Sequence, residues 1–526
     1  MNTKQAFQHI KKMSGSEIRS TELSYPDPLS FATELNKFYC RFDKTDCTTE
    51  CTSLLSSYST TGTLEVKITQ EDVAKQLSRT KPNKAPGPDG IPGRLLKECA
   101  AELGPALQPI FQQSIDVGEV PTSWKTSTVV PVPKKSSPTE LNHFRPVALT
   151  SLIMKCFEKM ILNYLLFLVS PLLDPLQFAY QAKRGTDDAV SCLLHRLLEH
   201  LDTAGNYARI LFVDFSSAFN TIQRHIMIQK LQNLDVPIVL TRWLFDFLSN
   251  RPQCVRVGDQ LSPTMVTNTG APQGCVLSPF LFILYTNDCR SLDPSTQYYK
   301  FSDDAAILAL LNDQNSFASY QQSVAHFSDW CTSNFLELNV SKTKEMVVDF
   351  RRNGSSDGNT VINDEAVSIV ESFRYLGVVL DNKLTFSQHT SEIQKKCQRR
   401  LYVLRRLRSF SLDSKLLLLL YRSIIESLLT YCSVCFFPML SVVNRNKLLK
   451  VSQQAAKIIG RSVPQLSELT EGAVVRKALS VAADTNHPLN YCFELLPSGR
   501  RYRCAKCNTA RLRKSFIPQA VVLLNK

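Results

Sequence analysis

The sequence lacks the features of an exported or membrane-spanning chain. Its opening, MNTKQAFQHIKKMSG, has no apolar run after the first charges, which a signal peptide requires. Its most apolar stretch, residues 416–440, is interrupted by Arg422 and Glu426, and charges are costly at the centre of a bilayer. We therefore expect a soluble, intracellular protein of the cytoplasm or nucleus, with no membrane partner and with this stretch as a buried helix.

Repeats, long low-complexity tracts and the cysteine density of a secreted disulfide scaffold are also missing. Sixteen cysteines are scattered over 526 residues, which indicates small core residues in a reducing compartment. Acidic residues are fewer than basic ones, 47 against 61, and the net charge is +14. Such a chain often neutralises phosphate, although ribosome-like or membrane-surface partners fit the charge equally well. A hydrophobic content of 44% at this length predicts a large core and more than one lobe.

Strand and helix patterns alternate in the middle of the chain, and helices dominate after residue 390. A loop with four prolines and three glycines, Lys81–Gly93, excludes helix and central strand. We expect an α/β body with a helical appendage. The predicted helices are 29–42, 68–77, 95–117, 149–168, 187–200, 277–288, 324–336 and most of the chain from 391; the predicted strands are 128–133, 208–215, a hairpin at 253–268, a hairpin at 298–310, 345–350 and 372–380.

Three aspartates stand where strands are expected to end. Asp214 closes the apolar strand RILFVDFSSAFN, and Asp303 and Asp304 occupy the turn of YYKFSDDAAIL. Either feature alone is usually ordinary turn chemistry. Several carboxylates at strand ends also suit a hard cation, because Mg²⁺ takes oxygen ligands and is completed by water and substrate phosphates.

The order of the motifs favours the second interpretation. Along the chain stand KAPGPDGIP, VVPVPKK with FRPVALTS, FVDFSSAFN, GAPQGCVLSPFLFILYTND, FSDDAAIL, LELNVSKTKEM and FRYLGVVLD. This succession, over roughly residues 70–390, resembles the ordered motifs of non-LTR (LINE-type) retrotransposon reverse transcriptases. A weaker resemblance continues into SGRRYRCAKCNTARLRKSFIPQAVVLLN.

The resemblance implies a right-hand polymerase that extends a primer 3′-hydroxyl with dNTPs on an RNA template. Its fingers and palm, with an antiparallel palm sheet, would occupy residues 76–390. An N-terminal extension would occupy 1–75, a helical thumb 391–465 and a basic tail 466–526. The expected partners are an RNA template, a DNA primer and dNTPs, with the oligomeric state open.

The resemblance also implies a metal site. Asp214, Asp303 and the backbone carbonyl of Phe215 would bind two Mg²⁺ ions, with Mn²⁺ as an alternative ion, and Asp304 would have a less direct role. Two ions about 3.5–4 Å apart can activate the primer hydroxyl and stabilise the leaving pyrophosphate. Phe301 and Ser302 fill the aromatic and variable places before the aspartate pair.

Nucleotide contacts are implied at four further places. Phe219 would lie beneath the sugar and exclude a 2′-hydroxyl, so that Phe219→Ala should admit ribonucleotides; the alternative is an ordinary core phenylalanine. Gln273 and Gly274 would approach the nucleotide or template, in what is also a helix-entry turn. Basic residues would hold the triphosphate, and a lysine would protonate the pyrophosphate. The candidates for the first role are Arg145, Lys134 and Lys135, and those for the second are Lys342 and Lys344, which spacing does not separate.

Primer and nucleic-acid contacts are expected further along the chain. Tyr375, Leu376 and Gly377 resemble a turn that grips the primer end, although a tight hairpin needs glycine there regardless. Lys395, Arg399 and Arg406 share one helical face opposite Leu401 and Leu404, which suits a nucleic-acid backbone or a solvated surface. Residues 500–514 carry seven basic residues and no acid, a second candidate RNA contact.

A zinc site in the tail is a weaker pattern. Cys504 and Cys507 form one CxxC pair, with Cys492 and His487 upstream, whereas structural zinc modules usually pair two such spacings. The sequence leaves zinc binding open, and no zinc site is predicted.

Two other functions remain open. A truncated or domesticated remnant could hold RNA without synthesis, although the three aspartates are intact. An RNA-dependent RNA polymerase shares two-metal chemistry, but such enzymes place a smaller polar residue where Phe219 stands. Relatives carry an endonuclease before the polymerase, and the 80 residues before Lys81 show no set of His, Asp and Asn for that reaction. We expect no nicking activity and no RNase H, and the chain could be a fragment.

Overall fold

A computed structural model describes residues 27–44, 46–59, 65–135, 137–352 and 358–526. The polar start, on which the expectation about a signal peptide rests, lies outside these residues. The strands are β1 Ser127–Pro133, β2 Phe144–Leu149, β3 Tyr207–Val213, β4 Arg251–Val257, β5 Gln260–Leu261, β6 Met265–Thr267, β7 Thr296–Phe301, β8 Asp304–Leu311, β9 Lys344–Val348, β10 Val361–Ile362, β11 Glu365–Ala366, β12 Ser368–Ile369, β13 Ser372–Tyr375 and β14 Val378–Asp381.

Helices surround these strands and make up the C-terminal region. They are Pro28–Tyr39, Thr48–Ser56, Gln70–Ser78, Gly93–Glu98, Ala100–Val117, Thr122–Lys125, Leu152–Val169, Thr186–His200, Arg224–Asn233, Ile238–Leu248, Ser278–Tyr285, Gln314–Ser333, Ser387–Ser409, Ser414–Tyr421, Ser427–Thr430, Ser433–Phe436, Val442–Ile459, Leu466–Ala482, Ala510–Arg513 and Phe516–Leu524. A π turn, Arg422–Glu426, joins two of them, and short 3-10 turns lie at Leu141–His143, Ser170–Leu172, Ala218–Asn220, Phe437–Met439 and Asn490–Cys492.

The central sheet positions the candidate site. Its strand order is β12-β9-β3-β8-β7, and β3 runs antiparallel to both β8 and β9. Every residue of β3 is buried, because both faces of the sheet are covered. Leu211 and Val213 face one core, and Ile210 and Phe212 face the other. The aspartate that follows β3 is therefore held at the end of a rigid strand.

A second sheet, of order β2-β1-β4-β5 with β6 paired to β4, takes β1 and β2 from before β3 in the chain and β4 to β6 from between β3 and β7. Helix Pro28–Tyr39 packs on this sheet, and its buried Asn36 donates to the carbonyl of Pro263 at 2.9 Å. Strand β2, in FRPVALTS, is not among the strands predicted from the sequence. Pro146 is accommodated there because it pairs with Pro131 of β1, so neither residue has an N–H to offer the ladder.

The C-terminal helices form their own core against the central sheet. Ser387–Ser409 packs on Val442–Ile459, with Leu401 and Leu404 fully buried and Lys395, Arg399 and Arg406 exposed, as the predicted helical wheel requires. Within the described residues one stretch, Ser414–Met439, is long and apolar enough to cross a membrane by composition and length alone. A buried row along it, Leu417, Tyr421, Ile425 and Leu429, packs in the core, and core helices of soluble proteins pass the same test.

The mixed α/β class and most elements agree with the sequence predictions. All sixteen cysteines are free thiols, and ten are buried. Four predictions were wrong in extent. The helix expected from residue 324 begins at Gln314, where Asp313 caps the first turn by accepting from the Ser316 N–H. The helix expected over 95–117 breaks at Cys99. The segment 372–380 is a hairpin rather than one strand, and residues 484–509 are largely irregular rather than helical.

Candidate active site at the ends of the central strands

Asp214 leaves the sheet at the end of β3. Its N–H donates to Thr343 Oγ1 at 3.3 Å, and its carbonyl accepts from the Asn339 N–H at 2.8 Å. Both partners lie in the turn before β9, which therefore holds the backbone of Asp214. One carboxylate oxygen, Oδ2, is buried without a hydrogen-bond partner and lies 3.4 Å from the ammonium of Lys342.

Asp303 and Asp304 lie at the tip of the β7–β8 hairpin. Phe301 pairs with Asp304, so the loop is only Ser302 and Asp303. Ser302 has a φ of +60°, the left-handed conformation that the first position of a two-residue type II′ hairpin loop demands. The Ser302 N–H donates to Gln177 Oε1 at 3.2 Å, which anchors the tip. The turn therefore fixes the direction of both aspartates.

The pairing of β3 with β8 brings these two places together. Val213 is opposite Ala305, the last pair of the register, so Asp214 and Asp304, which are the next residues on the two strands, lie near each other. Burial of the Asp304 carboxyl, followed by repulsion from Asp303 and Asp214, raises the pKa of Asp304 to about 6. The three carboxylates thus share one patch and repel one another there.

The chemistry of this patch fits a hard divalent cation. It offers carboxylate oxygens, a buried Oδ2 on Asp214 that accepts no hydrogen bond, and repulsion on Asp304 that a cation would relieve. Over the described ranges, no three His, Cys, Asp or Glu side chains are gathered closely enough to chelate a metal by themselves. Mg²⁺ typically uses only one or two carboxylates and completes its shell with waters and substrate phosphates. The residues present therefore suit an ion that arrives with a phosphate ligand.

The two candidate lysines before β9 are separated by the structure. Lys342 forms the ion pair with Asp214. Lys344 starts β9, and its ammonium donates to the carbonyl of Ser341 at 2.8 Å and to Ser368 Oγ at 3.2 Å. Of the pair, Lys342 reaches the carboxylates and Lys344 is bound elsewhere.

Lys134 and the three cations that repel it, Lys342, Arg145 and Arg41, form what we call the cationic cluster, and Lys134 and Lys342 also interact with Asp214. Burial lowers the pKa of the Lys134 ammonium, and repulsion from Lys342, Arg145 and Arg41 lowers it further. The negative charge of Asp214 acts in the opposite direction. Lys134 also donates to the carbonyl of Asn142 at 2.8 Å. Lys135 points to His143 Nε2, 2.9 Å away, and is not among the cations that perturb Lys134.

The two phenylalanines after Asp214 occupy different positions. Phe215 bridges to Leu338, and its ring lies 6.4 Å from that of Phe327 against the core. Phe219 sits in the 3-10 turn Ala218–Asn220, half-buried, with its ring centroid 4.9 Å from that of Phe282. Phe219 therefore rests on the core and keeps part of its surface accessible.

The loop that carries Gln273 and Gly274 rests on β2. The Gln273 carbonyl accepts from the Ala148 N–H at 2.8 Å. Gly274 has a φ of +134°, and a Cβ at this position would stand 2.4 Å from the Ala148 carbonyl oxygen. Only glycine fits this approach, so the residue is a structural requirement whatever else it contacts.

The β13–β14 hairpin has a two-residue loop of Leu376 and Gly377, with φ of +45° and +85°, as in a type I′ turn. The Tyr431 hydroxyl donates to the Leu376 carbonyl at 2.8 Å. Tyr375 is buried, and desolvation followed by the nearby charge of Asp304 raises the pKa of its hydroxyl far above the ordinary value. The hairpin therefore adjoins the carboxylate patch.

The tail residues considered for zinc have separate partners, and among the described residues no three of them form a metal-binding group. His487 contacts Asp188 at 3.2 Å, Cys492 Sγ contacts His195 Nε2 at 3.3 Å, and Cys504 is exposed. Cys507 Sγ contacts the carbonyl of Ala505 at 3.5 Å. The basic tail docks on the end of the central sheet, where the guanidinium of Arg511 lies 3.5 Å from the ring centre of Phe350.

Sequence reasoning missed several residues of the site: Arg41, Ser217, Thr343, Gln177 and Tyr431. Arg41 lies 173 positions before Asp214, and nothing in FYCRFD indicates where its side chain goes. Gln177 and Tyr431 act through single hydrogen bonds to distant turns, and no sequence spacing marks them.

Known proteins match this arrangement in sequence. The family model described as reverse transcriptase (RNA-dependent DNA polymerase) matches residues 132–380, which include the three aspartates. A second model, of the N-terminal region of alkylated DNA repair protein alkB homolog 8, matches residues 386–427. The RNA-directed DNA polymerase from mobile element jockey of Drosophila melanogaster is 26% identical over 409 residues, 75% of this chain and 44% of the relative. The probable RNA-directed DNA polymerase from transposon X-element of the same species is 28% identical over 336 residues, 62% of this chain and 36% of the relative.

These relatives are longer, and the chain spans less than half of their length. The matched region nevertheless contains β2, the whole central sheet and the hairpin of Leu376 and Gly377. The similarity is thus centred on the elements that carry the carboxylate patch. Through residues 132–380, the chain is similar to the reverse transcriptase family and to RNA-directed DNA polymerases of mobile elements.

Proposed function

We propose that the chain is an RNA-directed DNA polymerase, which adds deoxynucleotides to a primer 3′-hydroxyl on an RNA template. One observation carries the proposal: strand pairing sets Asp214 beside Asp304 at the edge of a cluster of cations. Carboxylates that can hold divalent ions and cations that can hold a triphosphate are the two requirements of nucleotidyl transfer.

The proposed organisation is a right hand. Residues 76–390 are fingers and palm, 391–465 are the thumb, 466–526 are a basic tail, and the N-terminal extension is 1–75. In this assignment the central sheet is the palm, β1 and β2 belong to the fingers, and the exposed basic face of Ser387–Ser409 follows the nucleic acid. The antiparallel pairing of β3 with β8 and β9 supports the palm assignment.

Asp214, Asp303, Asp304 and the carbonyl of Phe215 would hold two Mg²⁺ ions, or Mn²⁺. When bound, such ions activate the primer hydroxyl and stabilise charge on the leaving pyrophosphate. The protein supplies orientation: Thr343 and Asn339 fix the backbone of Asp214, and Gln177 fixes the hairpin tip. Lys342 stands where a proton donor to pyrophosphate would be useful, and its ion pair with Asp214 holds it in place.

Lys134 and Arg145 would bind the triphosphate, and Phe219 would contact the sugar, excluding ribonucleotides by its bulk. Lys135, bound to His143, would contribute less. Gln273 and Gly274 would border the nucleotide on the side of β2. Tyr375, Leu376 and Gly377 would support the primer end beside Asp304.

The test is primer extension on an RNA template with Mg²⁺ and dNTPs. We expect extension by the wild type and its loss, by at least about a thousandfold, in the double variant Asp303→Ala, Asp304→Ala, because no other carboxylate replaces the hairpin tip. Asp259→Asn, an exposed aspartate on the β4–β5 turn, is the matched control and should remain active. Extension by the double variant would refute the mechanism. RNA binding without synthesis in the wild type would favour the RNA-binding remnant instead.

A further inference from the structure

The segment after helix Pro28–Tyr39 reaches the candidate site through Arg41. Its Nη2 donates to Ser217 Oγ at 3.2 Å, and its Nη1 donates to the carbonyl of Phe38 at 2.7 Å. The guanidinium also lies 3.8 Å from the ring centre of Phe38 and 4.1 Å from that of Phe42. Two hydrogen bonds and two ring faces hold this half-buried cation in one orientation.

The contact falls in the turn that presents the catalytic elements. Ser217 stands between Asp214 and Phe219 and has a left-handed φ of +58°. Two residues after Arg41, Asp43 accepts from the Asn268 N–H at 2.9 Å and from Thr269 Oγ1 at 3.1 Å. The loop beyond Thr269 in turn bonds Phe219, whose carbonyl accepts from the Ala271 N–H at 2.8 Å. Residues 41–43 therefore contact both the loop that contains Phe219 and the loop that bonds to the Phe219 carbonyl.

Arg41 interacts electrostatically with Lys134, one of the candidate residues for binding the triphosphate. Its guanidinium is among the cations that lower the pKa of Lys134, together with Lys342 and Arg145. Burial lowers the pKa of Arg41, and the nearby Glu337 carboxylate acts against that change. A bound anion would further relieve the repulsion among these cations. Two of the five N–H donors of Arg41 are engaged by Phe38 and Ser217, and the planar fork suits a phosphate with the donors that remain.

We propose that Arg41 binds the triphosphate of the incoming nucleotide, as a ligand supplied by the N-terminal segment to a site whose other parts lie more than 90 residues further along the chain. The inference rests on the proposed function and extends it. Nucleotide binding would thereby tie helix Pro28–Tyr39 to the turn between Asp214 and Phe219, so that this segment is part of the substrate site rather than an appendage.

The experiment measures nucleotide affinity without turnover. A dNTP is titrated with Mg²⁺ into protein bound to an RNA template and a dideoxy-terminated DNA primer. We expect Arg41→Gln to weaken dNTP binding by about tenfold to a hundredfold, the range for a charged hydrogen bond, and to leave primer–template affinity unchanged. Lys37→Gln removes the same charge from an exposed position of the neighbouring helix and should change neither affinity. Arg41→Lys, which keeps the charge without the fork, should fall between wild type and Arg41→Gln.

If Arg41→Gln lowers the melting temperature but leaves dNTP affinity unchanged, Arg41 has only a structural role and the inference is overturned. If Arg41→Gln fails to fold, Ser217→Ala removes the anchor and keeps the charge. Ser217→Ala should weaken dNTP binding severalfold, and wild-type affinity in that variant would overturn the inference too. A wild type that neither binds dNTP nor extends a primer would overturn the proposed function itself, whereas normal wild-type binding with no effect of Arg41 overturns only the inference.

Discussion

Lys342 and Lys344 are two positions apart in the sequence, but their side chains have different partners in the structure. Both stand in VSKTKEM, and the sequence gives no reason to prefer either. The pairing of β9 with β3 and β12 sets Lys344 beside Ser341 and Ser368 and leaves Lys342 beside Asp214. A difference between them is therefore a direct test of the site at the residue scale.

We expect Lys342→Ala to lower the rate of nucleotide addition by about 10²–10⁴, the usual contribution of a general acid. Lys344→Ala, the matched control, should stay within about tenfold of wild type, because its ammonium is bound outside the carboxylate patch. Single-turnover rates at saturating dNTP measure the two losses. Equal losses in the two variants would count against Lys342 as the acid.

At the scale of elements, the turns are where conformation is most demanding. Gly377 and Gly258 both adopt a left-handed φ, +85° and +60°, but their surroundings differ. A Cβ on Gly377 would stand 3.0 Å from the Tyr431 ring, whereas a Cβ on Gly258 would meet nothing within 4 Å. The pair separates the cost of backbone strain from the cost of crowding.

We expect Gly258→Ala to lower the free energy of unfolding by about 1 kcal/mol, the cost of a left-handed alanine. Gly377→Ala should lose more, about 2–3 kcal/mol, because Tyr431 must also move. Urea unfolding measures both, and primer–template affinity should weaken in Gly377→Ala alone. Equal destabilisation of the two variants would show that the Tyr431 contact yields without cost.

The joint between β14 and helix Ser387–Ser409 contains a buried histidine. His389 Nδ1 accepts from the Val379 N–H at 3.3 Å, and the imidazole lies edge-on to Phe436. Burial, followed by the charge of Arg374, lowers the pKa of His389 from 6.5 to about 4. The unfolded chain therefore binds more protons than the folded one between these pH values, and stability falls as pH drops from 6.5 to 4.

We expect this acid loss to approach about 3 kcal/mol, the linkage equivalent of the lowered pKa at a buried site. His389→Gln should be less stable than wild type at pH 7 and should lose less on going to pH 4.5. His326→Gln, at an exposed histidine, should follow the wild-type pH dependence. Urea unfolding at pH 7 and 4.5 checks this, and an identical pH dependence in His389→Gln would contradict it.

Sequence patterns predicted the elements that position the candidate site better than the contacts that complete it. The β7–β8 hairpin could be predicted because apolar runs flank a polar turn. Strand β3 could be predicted because it is continuously apolar. Strand β2 was missed because proline argues against a strand, and only its pairing with Pro131 explains it. Arg41, Gln177 and Tyr431 reach the site through tertiary contacts, which periodicity does not encode.

Part of the net charge of the whole molecule, +14, forms an exposed basic face on helix Ser387–Ser409. Lys395, Arg399 and Arg406 are exposed on one side of Ser387–Ser409, while the opposite side is buried. Such a face would bind phosphates by releasing counterions, which makes affinity fall with salt.

We expect the triple variant Lys395→Gln, Arg399→Gln, Arg406→Gln to bind an RNA–DNA primer–template more weakly, with the slope of log affinity against log salt reduced by about 2–3. A triple variant of equal charge, Lys67→Gln, Lys75→Gln, Lys97→Gln, changes exposed lysines of the first hundred residues. It should alter the slope by less than about 1. The same slope change in both triple variants would show that net charge alone is responsible.

The central claim is that Asp214 and the Asp303–Asp304 tip hold the same divalent ions. The most direct test counts Mn²⁺ by electron paramagnetic resonance in the complex of protein, RNA template, dideoxy-terminated primer and matching dNTP. We predict about two tightly bound ions per wild-type complex and per Asp259→Asn complex, and at most one for Asp214→Asn. An undiminished count in Asp214→Asn would contradict the account.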